Sequence, residues 1–245
     1  TGIATIEATY ENIDRVLKEF KDFFTSPISK KQTKYKTFVI SGTNQPNKIR
    51  GLVNLLKLNK IEFGFLSSNK SKSVKNAYEY LTGEKKTIKV SNKDICIPID
   101  QKLGILANVL FEPKTNLSDT LTYDITAWSL PYIYGLDAYA LENNLKLELK
   151  DALPFKSLEL KIDKNSYGYL SKWGTINDLK FLAEILNHRV TVRVAEKSFE
   201  HEGVNYKPGT LFISPRGNEH LGSKLHEIIK TATTNHSPEI TSIKT

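Results

Sequence analysis

The chain has 245 residues, 39% of them hydrophobic and 25% charged, a globular composition that can bury a core in one large or two small domains. No apolar run approaches the roughly 18 residues needed to span a bilayer, and the start of the chain lacks the basic and apolar segments of a signal peptide. Its single cysteine, Cys96, excludes an internal disulfide.

The net charge of +8 raises the possibility of nucleic-acid binding. Few of the basic residues are arginines, whereas planar, bidentate recognition of phosphate and guanine favours arginine. The lysine clusters at 30–36 and 70–75 are typical of solvated loops. The charge pattern therefore disfavours nucleic acid as a partner.

Residues 6–24 are predicted to form an amphipathic helix, because apolar residues recur at alternating spacings of four and three from Ile6 to Phe24. So large an apolar face must be buried against the rest of the chain or against another domain. Because the chain starts at Thr1 and contains no methionine, we expect it to be a piece of a longer polypeptide. We assign 1–30 as helix and connector and 31–245 as one α/β domain.

A β-α-β unit follows, with strands at 36–41 and 61–67 and a helix that begins near Pro46. So short a crossover predicts parallel pairing in a sheet that is covered on both faces. Residues 67–86 are predicted to be a loop and a short helix. Strands at 87–90 and 94–99 and a helix at 101–111 complete this part.

The later part repeats the alternation of strands and helices. It has a strand at 167–171, a helix capped by Thr175, a strand at 189–196, a hairpin at 199–214 and a final helix before a frayed polar tail. Between the two parts, residues 145–163 alternate apolar and charged residues around Pro154, which suggests a small antiparallel excursion. The fold class predicted is α/β with a mostly parallel sheet.

The sequence shows no convincing catalytic or metal-binding motif. His236 begins a His-x-x-Glu match in the last ten residues, but no later histidine completes a ligand set. Cys96 lacks the glycines of a nucleophile elbow and alternates with Ile95 and Ile97, which indicates a core position in a strand. We expect no cofactor in this chain.

Residues 121–141 concentrate aromatic side chains in one stretch, "LTYDITAWSLPYIYGLDAYAL". Tyrosine and tryptophan combine an apolar body with a polar tip, so this stretch suits a core edge, a protein interface or a small-molecule pocket. The residues that we select as candidates for binding or docking are Tyr123, Asp124, Trp128, Pro131 and Tyr132.

The segment from 111 to 141 resembles the region that follows the catalytic domain in large carboxypeptidase A-like zinc metallopeptidases of Bacteroidetes-type bacteria. The matching features are Gln101 with the apolar helix after it, the Ser-Asp at 118–119, the Tyr-Asp at 123–124, Thr-Ala-Trp at 126–128 and Leu-Pro at 130–131. The resemblance implies an exported protein, with a zinc-binding peptidase domain upstream. It also implies a flavodoxin-like, three-layer fold similar to class I glutamine amidotransferases.

We therefore expect a non-catalytic accessory region of a secreted zinc carboxypeptidase that packs against the peptidase domain of the same polypeptide. The alternative is a ligand- or peptide-binding module that uses the crevice at the carboxyl ends of its strands. The loops at 41–46, 67–73 and 171–175 would line that crevice.

Overall fold

A computed structural model describes residues 1–25, 33–114, 129–150 and 162–244 of the chain. Contacts divide it into two compact units, Thr1–Pro154 and Phe155–Thr245. The predicted boundary at residue 30 lies outside the described residues. No helix in the described ranges is both long and apolar enough to cross a membrane, which is consistent with the predicted lack of a membrane span.

The first unit contains helices and one large sheet. Its helices are α1 (Gly2–Glu11), α2 (Ile13–Thr25), α3 (Pro46–Leu58), α4 (Gly104–Phe111) and α5 (Leu130–Ile133). Its strands are β1 (Thr37–Ile40), β2 (Gly64–Leu66), β3 (Lys72–Glu79), β4 (Lys85–Val90), β5 (Ile95–Pro98), β6 (Ala138–Leu141) and β7 (Leu147–Leu149). The strand order in the sheet is β4-β3-β6-β1-β5-β2-β7.

All seven strands contribute side chains to one apolar cluster, which forms a common core for the sheet. Val39 of β1 lies opposite Cys96 of β5, and both are buried in this cluster, as predicted for Cys96. Phe38 points to the other face of the sheet because side chains alternate along a strand. Phe111 of α4 stacks on Phe38 with ring centroids 5.5 Å apart, so β1 is buried on both faces.

The predicted three-layer, mostly parallel sheet of the flavodoxin-like or class I glutamine amidotransferase-like kind is wrong. All of the strand pairings in the described residues are antiparallel. The β-α-β unit exists as β1, α3 and β2, and its two strands run in the same direction. However, β5 lies between them and pairs antiparallel with both.

A second difference concerns residues 67–86, where a strand replaces the predicted short helix. The buried residues of β3 are Val74, Ala77 and Tyr78, whose spacings of three and one do not alternate. The register shifts between Val74 and Ala77, and Asn76 adopts a positive φ of 57°. A β-bulge therefore breaks the two-residue period of the strand and mimics a helical spacing.

The second unit has a four-stranded antiparallel sheet, a hairpin and two helices. Its elements are β8 (Gly168–Ser171), α6 (Ile176–Asn187), β9 (Arg193–Val194), β10 (Phe199–His201), β11 (Val204–Tyr206), β12 (Leu211–Ile213), α7 (Lys224–His236) and β13 (Ile240–Ile243). The sheet order is β13-β8-β12-β9, and β10 pairs with β11. The two helices pack with the sheet around Phe181, Ile185 and Ile229.

Thr175 caps α6 as predicted. Its side chain accepts a hydrogen bond from the Asp178 amide, and the Asp178 carboxylate accepts one from the Thr175 amide at 2.7 Å. The predicted polar tail, in contrast, contains β13, which pairs with the free edge of β8. The excursion predicted at 145–163 begins with β7, which joins the large sheet, and residues 151–161 lie outside the described part.

Candidate functional site

Two of the five predicted docking residues lie in the described structure, both in α5. Pro131 is buried, and its carbonyl accepts a hydrogen bond from the Leu136 amide at 2.9 Å. Tyr132 is 43% exposed. Tyr123, Asp124 and Trp128 lie outside the described residues, so the docking role of the set stays a prediction.

Tyr132 belongs to a tyrosine cluster formed with Tyr35, Tyr78 and Tyr80. The hydroxyl oxygens of Tyr132 and Tyr78 are 3.4 Å apart, and the Tyr132 ring meets Tyr80 edge-on with centroids 5.2 Å apart. The Tyr80 hydroxyl donates to the carbonyl of Phe111. The cluster therefore ties α4 and α5 to β3 and exposes only Tyr132 at its rim.

Burial raises the pKa of Tyr35, Tyr80 and Tyr132 in this cluster. Removal from water raises the pKa of Tyr80 well above its ordinary value and also raises the pKa of Tyr35. Burial followed by the hydrogen bond with Tyr78 raises the pKa of Tyr132. The three phenols therefore stay neutral at physiological pH, and the neutral Tyr80 hydroxyl donates a hydrogen bond.

The most exposed apolar surface of the described residues lies on α1 and α2. We define the apolar helix face as Ile3, Ile6, Tyr10, Ile13, Val16, Leu17, Phe20, Phe23 and Phe24. These side chains are between 37% and 78% exposed, and none of the residues of α1 is buried. Phe24 contacts both Phe20 and Phe23 at centroid distances of 5.0 Å, so the three rings form one aromatic patch.

The sequence periodicity correctly predicted this apolar stripe, although the helix breaks at Asn12 into α1 and α2. The charged residues between the apolar positions are mainly acidic, with five carboxylates and three basic groups among residues 1–25. An exposed apolar face bordered by carboxylates is suited to a protein surface that is apolar with a basic margin.

A second exposed feature is the end of the sheet at which β1 and β2 terminate. Both strands run antiparallel to β5, so the loops that follow them lie at the same end of the sheet. Asp94, just before β5, accepts hydrogen bonds from the Gly42 amide at 2.8 Å and from the Ser91 amide at 2.6 Å. The Asn92 side chain donates to Asn69 Oδ1 at 3.3 Å. The turn before β5 therefore holds the loop after β1 and the loop after β2.

Beside the loop after β2 lies a serine–lysine cleft, which we define by its lining residues Leu66, Ser67, Ser68, Lys70, Ser71, Lys72 and Lys146. Its volume is ≈ 470 Å³. Two of the loops predicted to line a crevice, 41–46 and 67–73, thus lie at one end of the sheet, and the third, 171–175, belongs to the other unit. The sequence pattern missed Lys146, because only the pairing of β7 with β2 brings it here.

The described residues hold no group of three or more His, Cys, Asp or Glu side chains arranged as metal ligands. In the second unit, His226 Nδ1 lies 2.9 Å from the Tyr169 hydroxyl and His236 Nε2 lies 2.6 Å from Glu184 Oε2. Cys96 is buried, and burial raises the pKa of its thiol to about 12. The two histidines therefore take part in contacts within the second unit, and Cys96 belongs to the core of the first.

Comparison of the chain with models of protein families, with curated protein sequences and with solved structures gives no match. The resemblance to the region after the catalytic domain of carboxypeptidase A-like peptidases therefore stays a prediction from the motif at 118–131.

Proposed function

We propose that this chain is an accessory region that docks onto a partner protein domain through the apolar helix face. The observation that carries the proposal is the exposure of nine large apolar side chains along α1 and α2. Short helices are marginal in water, and in proteins their stability comes mostly from packing of an apolar face. The two helices therefore need a partner surface to remain folded and protected.

The charge of the helices favours a protein partner over a lipid surface. Amphipathic helices that lie on membranes carry lysine and arginine on the polar face, which attract anionic lipids. Residues 1–25 instead carry an excess of carboxylates. The aromatic patch of Phe20, Phe23 and Phe24 fits the buried core of a protein interface, where aromatic residues including phenylalanine are enriched.

The partner that we propose is the peptidase domain of an exported zinc carboxypeptidase, carried by the same polypeptide. The support for it is the sequence resemblance of the segment from 111 to 141. In this role the region packs against the catalytic domain and shapes access of substrates, while the zinc belongs to the partner domain.

Hydrogen exchange of residues 1–25 tests the docking. The amides of α1 and α2 are expected to exchange rapidly in the isolated chain and slowly in the natural polypeptide, including whatever its gene encodes before Thr1. Leu17→Glu with Phe20→Glu should abolish the protection, whereas Lys18→Glu, on the polar side of α2, should preserve it. Equal exchange in the two proteins would contradict the docking role.

Zinc analysis tests the identity of the partner. The natural polypeptide is expected to contain stoichiometric zinc and to release C-terminal residues from model peptides. A polypeptide with protected helices but neither zinc nor release would keep the docking role and overturn the assignment of the partner as a zinc carboxypeptidase.

A further inference from the structure

Two clefts of the first unit carry three lysines each, but they differ in their balance of charge. The serine–lysine cleft has no carboxylate among its lining residues. The other cleft, of ≈ 510 Å³, is lined by Lys57, Lys60 and Lys150 together with Glu62. In addition, Lys150 pairs with Glu148 at 3.3 Å. The serine–lysine cleft therefore presents the larger excess of positive charge, because two carboxylates offset two of the three lysines in the other cleft.

Beyond the docking role, we propose that the serine–lysine cleft binds a small molecule that carries a phosphate or sulfate monoester. Within the described part of the chain, Lys70, Lys72 and Lys146 form no ion pair. Three like charges on one cleft repel each other, and an anion bound among them would relieve this repulsion.

The loop also provides hydroxyl groups beside the lysines. Ser67 donates from its amide and hydroxyl to the Lys146 carbonyl at 3.3 and 3.2 Å, which holds Lys146 against the loop. The Ser68 hydroxyl oxygen accepts from the Lys70 amide at 3.1 Å, so its own hydrogen is available for a ligand. The cleft therefore combines positive charge with a neutral donor, the Ser68 hydroxyl, which is held by the loop backbone.

The basic residues of the cleft are suited to a tetrahedral anion. The planar fork of arginine matches carboxylate and phosphate alike, whereas lysine binds phosphate as a compact charge without a preferred plane. No arginine lines the cleft. Three lysine ammonium groups and serine hydroxyls can approach the oxygens of a tetrahedral phosphate or sulfate group from several directions.

The size of the cleft favours an ester over the free anion. A water molecule takes about 30 Å³ in the liquid, and ligand pockets for small molecules begin at about 300 Å³. A volume of ≈ 470 Å³ leaves room for the group that carries the phosphate or sulfate. The buried Leu66 provides an apolar floor for that group.

An NMR titration of the labelled chain at constant ionic strength tests the proposal. The probes are glucose 6-phosphate, glucose 6-sulfate, inorganic phosphate and glucuronate. Glucose 6-sulfate and glucuronate are both monoanionic sugars, so they separate the tetrahedral group from charge alone. We expect saturable shifts of the amides of residues 67–72 with both esters, and weaker binding of inorganic phosphate and glucuronate.

Two matched triple variants provide the control. Lys70→Gln, Lys72→Gln and Lys146→Gln together should weaken binding of glucose 6-phosphate by roughly tenfold or more, about two- to threefold for each lysine. The corresponding glutamine variant of Lys57, Lys60 and Lys150 should bind within about twofold of the unchanged protein. Resistance of Cys96 to alkylation shows that each variant is folded. If a triple variant is not resistant, its three single substitutions are measured separately instead.

Each of the other outcomes overturns a stated part of the proposal. Equal affinity for glucuronate and glucose 6-sulfate would exclude selection of a tetrahedral group. Equal affinity for inorganic phosphate and glucose 6-phosphate would assign the cleft to the free anion instead of an ester. Absence of saturable shifts, or an equal loss of binding in the two triple variants, would exclude the cleft as the site.

Discussion

Comparison of Phe20→Ala with Phe111→Ala measures whether the apolar helix face is packed in the isolated chain. Phe20 is 65% exposed and Phe111 is fully buried. Complete burial of a phenylalanine stabilises a protein by about 1.5–3 kcal/mol, so the exposed Phe20 contributes roughly a third of that or less. Alanine favours the helix by about 0.5 kcal/mol over phenylalanine, which offsets part of the loss. The net change expected for Phe20→Ala is within about 0.5 kcal/mol.

Phe111→Ala removes a ring that stacks on Phe38 and leaves a cavity between α4 and the sheet. Such a change usually destabilises a protein by about 3–5 kcal/mol. The two substitutions delete the same atoms, so their difference reports burial and not side-chain chemistry. We expect the effect of Phe111→Ala to exceed that of Phe20→Ala by at least about 2 kcal/mol.

Pulsed alkylation of Cys96 in urea gives the free energy of unfolding of the first unit. Cys96 is the single thiol of the chain and is buried in the core cluster of that unit. Its reaction therefore reports opening of the first unit without interference from the second. A loss of more than about 2 kcal/mol on Phe20→Ala would refute the reasoning, because it would show that α2 already packs on the fold.

Three further predictions concern single residues. Native Cys96 should react with iodoacetamide at pH 8 at least about 100-fold more slowly than in the urea-unfolded chain, because its burial raises the thiol pKa to about 12; rapid native labelling would contradict this. Burial raises the pKa of Asp178 above its ordinary value of 3.8, so the folded state binds this proton more tightly than the unfolded state does. As the pH rises from 3.8 through the raised pKa, this proton is lost and the free energy of unfolding of the second unit falls. Asp178→Asn should flatten that fall in urea titrations from pH 3 upward, and an unchanged slope would argue against it. Gly42→Ala would place a Cβ 2.4 Å from the Lys93 carbonyl oxygen and should destabilise the first unit by about 1–3 kcal/mol, whereas Gly2→Ala, with open space around it, should not.

The direction of the crossover strands could be predicted from the sequence, but not their neighbours. In the first unit β1 and β2 run in the same direction on either side of β5, and in the second unit β8 and β9 flank β12 in the same way. A short helical crossover determines that the two strands point the same way. Whether a third strand enters between them depends on pairing with residues distant in sequence, such as Gly64 with Cys96.

Two local errors have different physical causes. The bulge in β3 changes the spacing of buried residues, so a period of three or four does not identify a helix there. At the end of the chain, β13 is only half apolar, but the unpaired edge of β8 offers it backbone hydrogen bonds. Formation of this strand depends on the unpaired edge strand that it joins, so the sequence of the tail alone does not predict it.

For the candidate sites, periodicity identified the apolar helix face because an amphipathic stripe is a local property of the sequence. The loop after β2 could be predicted to line a crevice at the carboxyl ends of the strands, because a strand precedes it. The position of Lys146, the third lysine of the cleft, could not be predicted, because it depends on the pairing of β7 with β2 and on the adjoining hydrogen bonds from Ser67 to the Lys146 carbonyl. A lysine cluster at 70–75 alone does not differ from a solvated loop.

The two proposed surfaces should respond differently to salt, and this makes them separable. Association through apolar side chains is little affected by sodium chloride and is strengthened by excluded salts such as sulfate. Binding of an anion to exposed lysines is screened within about 10 Å at 0.1 M salt, so its affinity falls as salt is added. Sulfate is the informative case, because it should strengthen docking of α1 and α2 while it competes for the serine–lysine cleft. Opposite responses of the helix amides and of the amides of residues 67–72 would therefore indicate two independent sites on one chain.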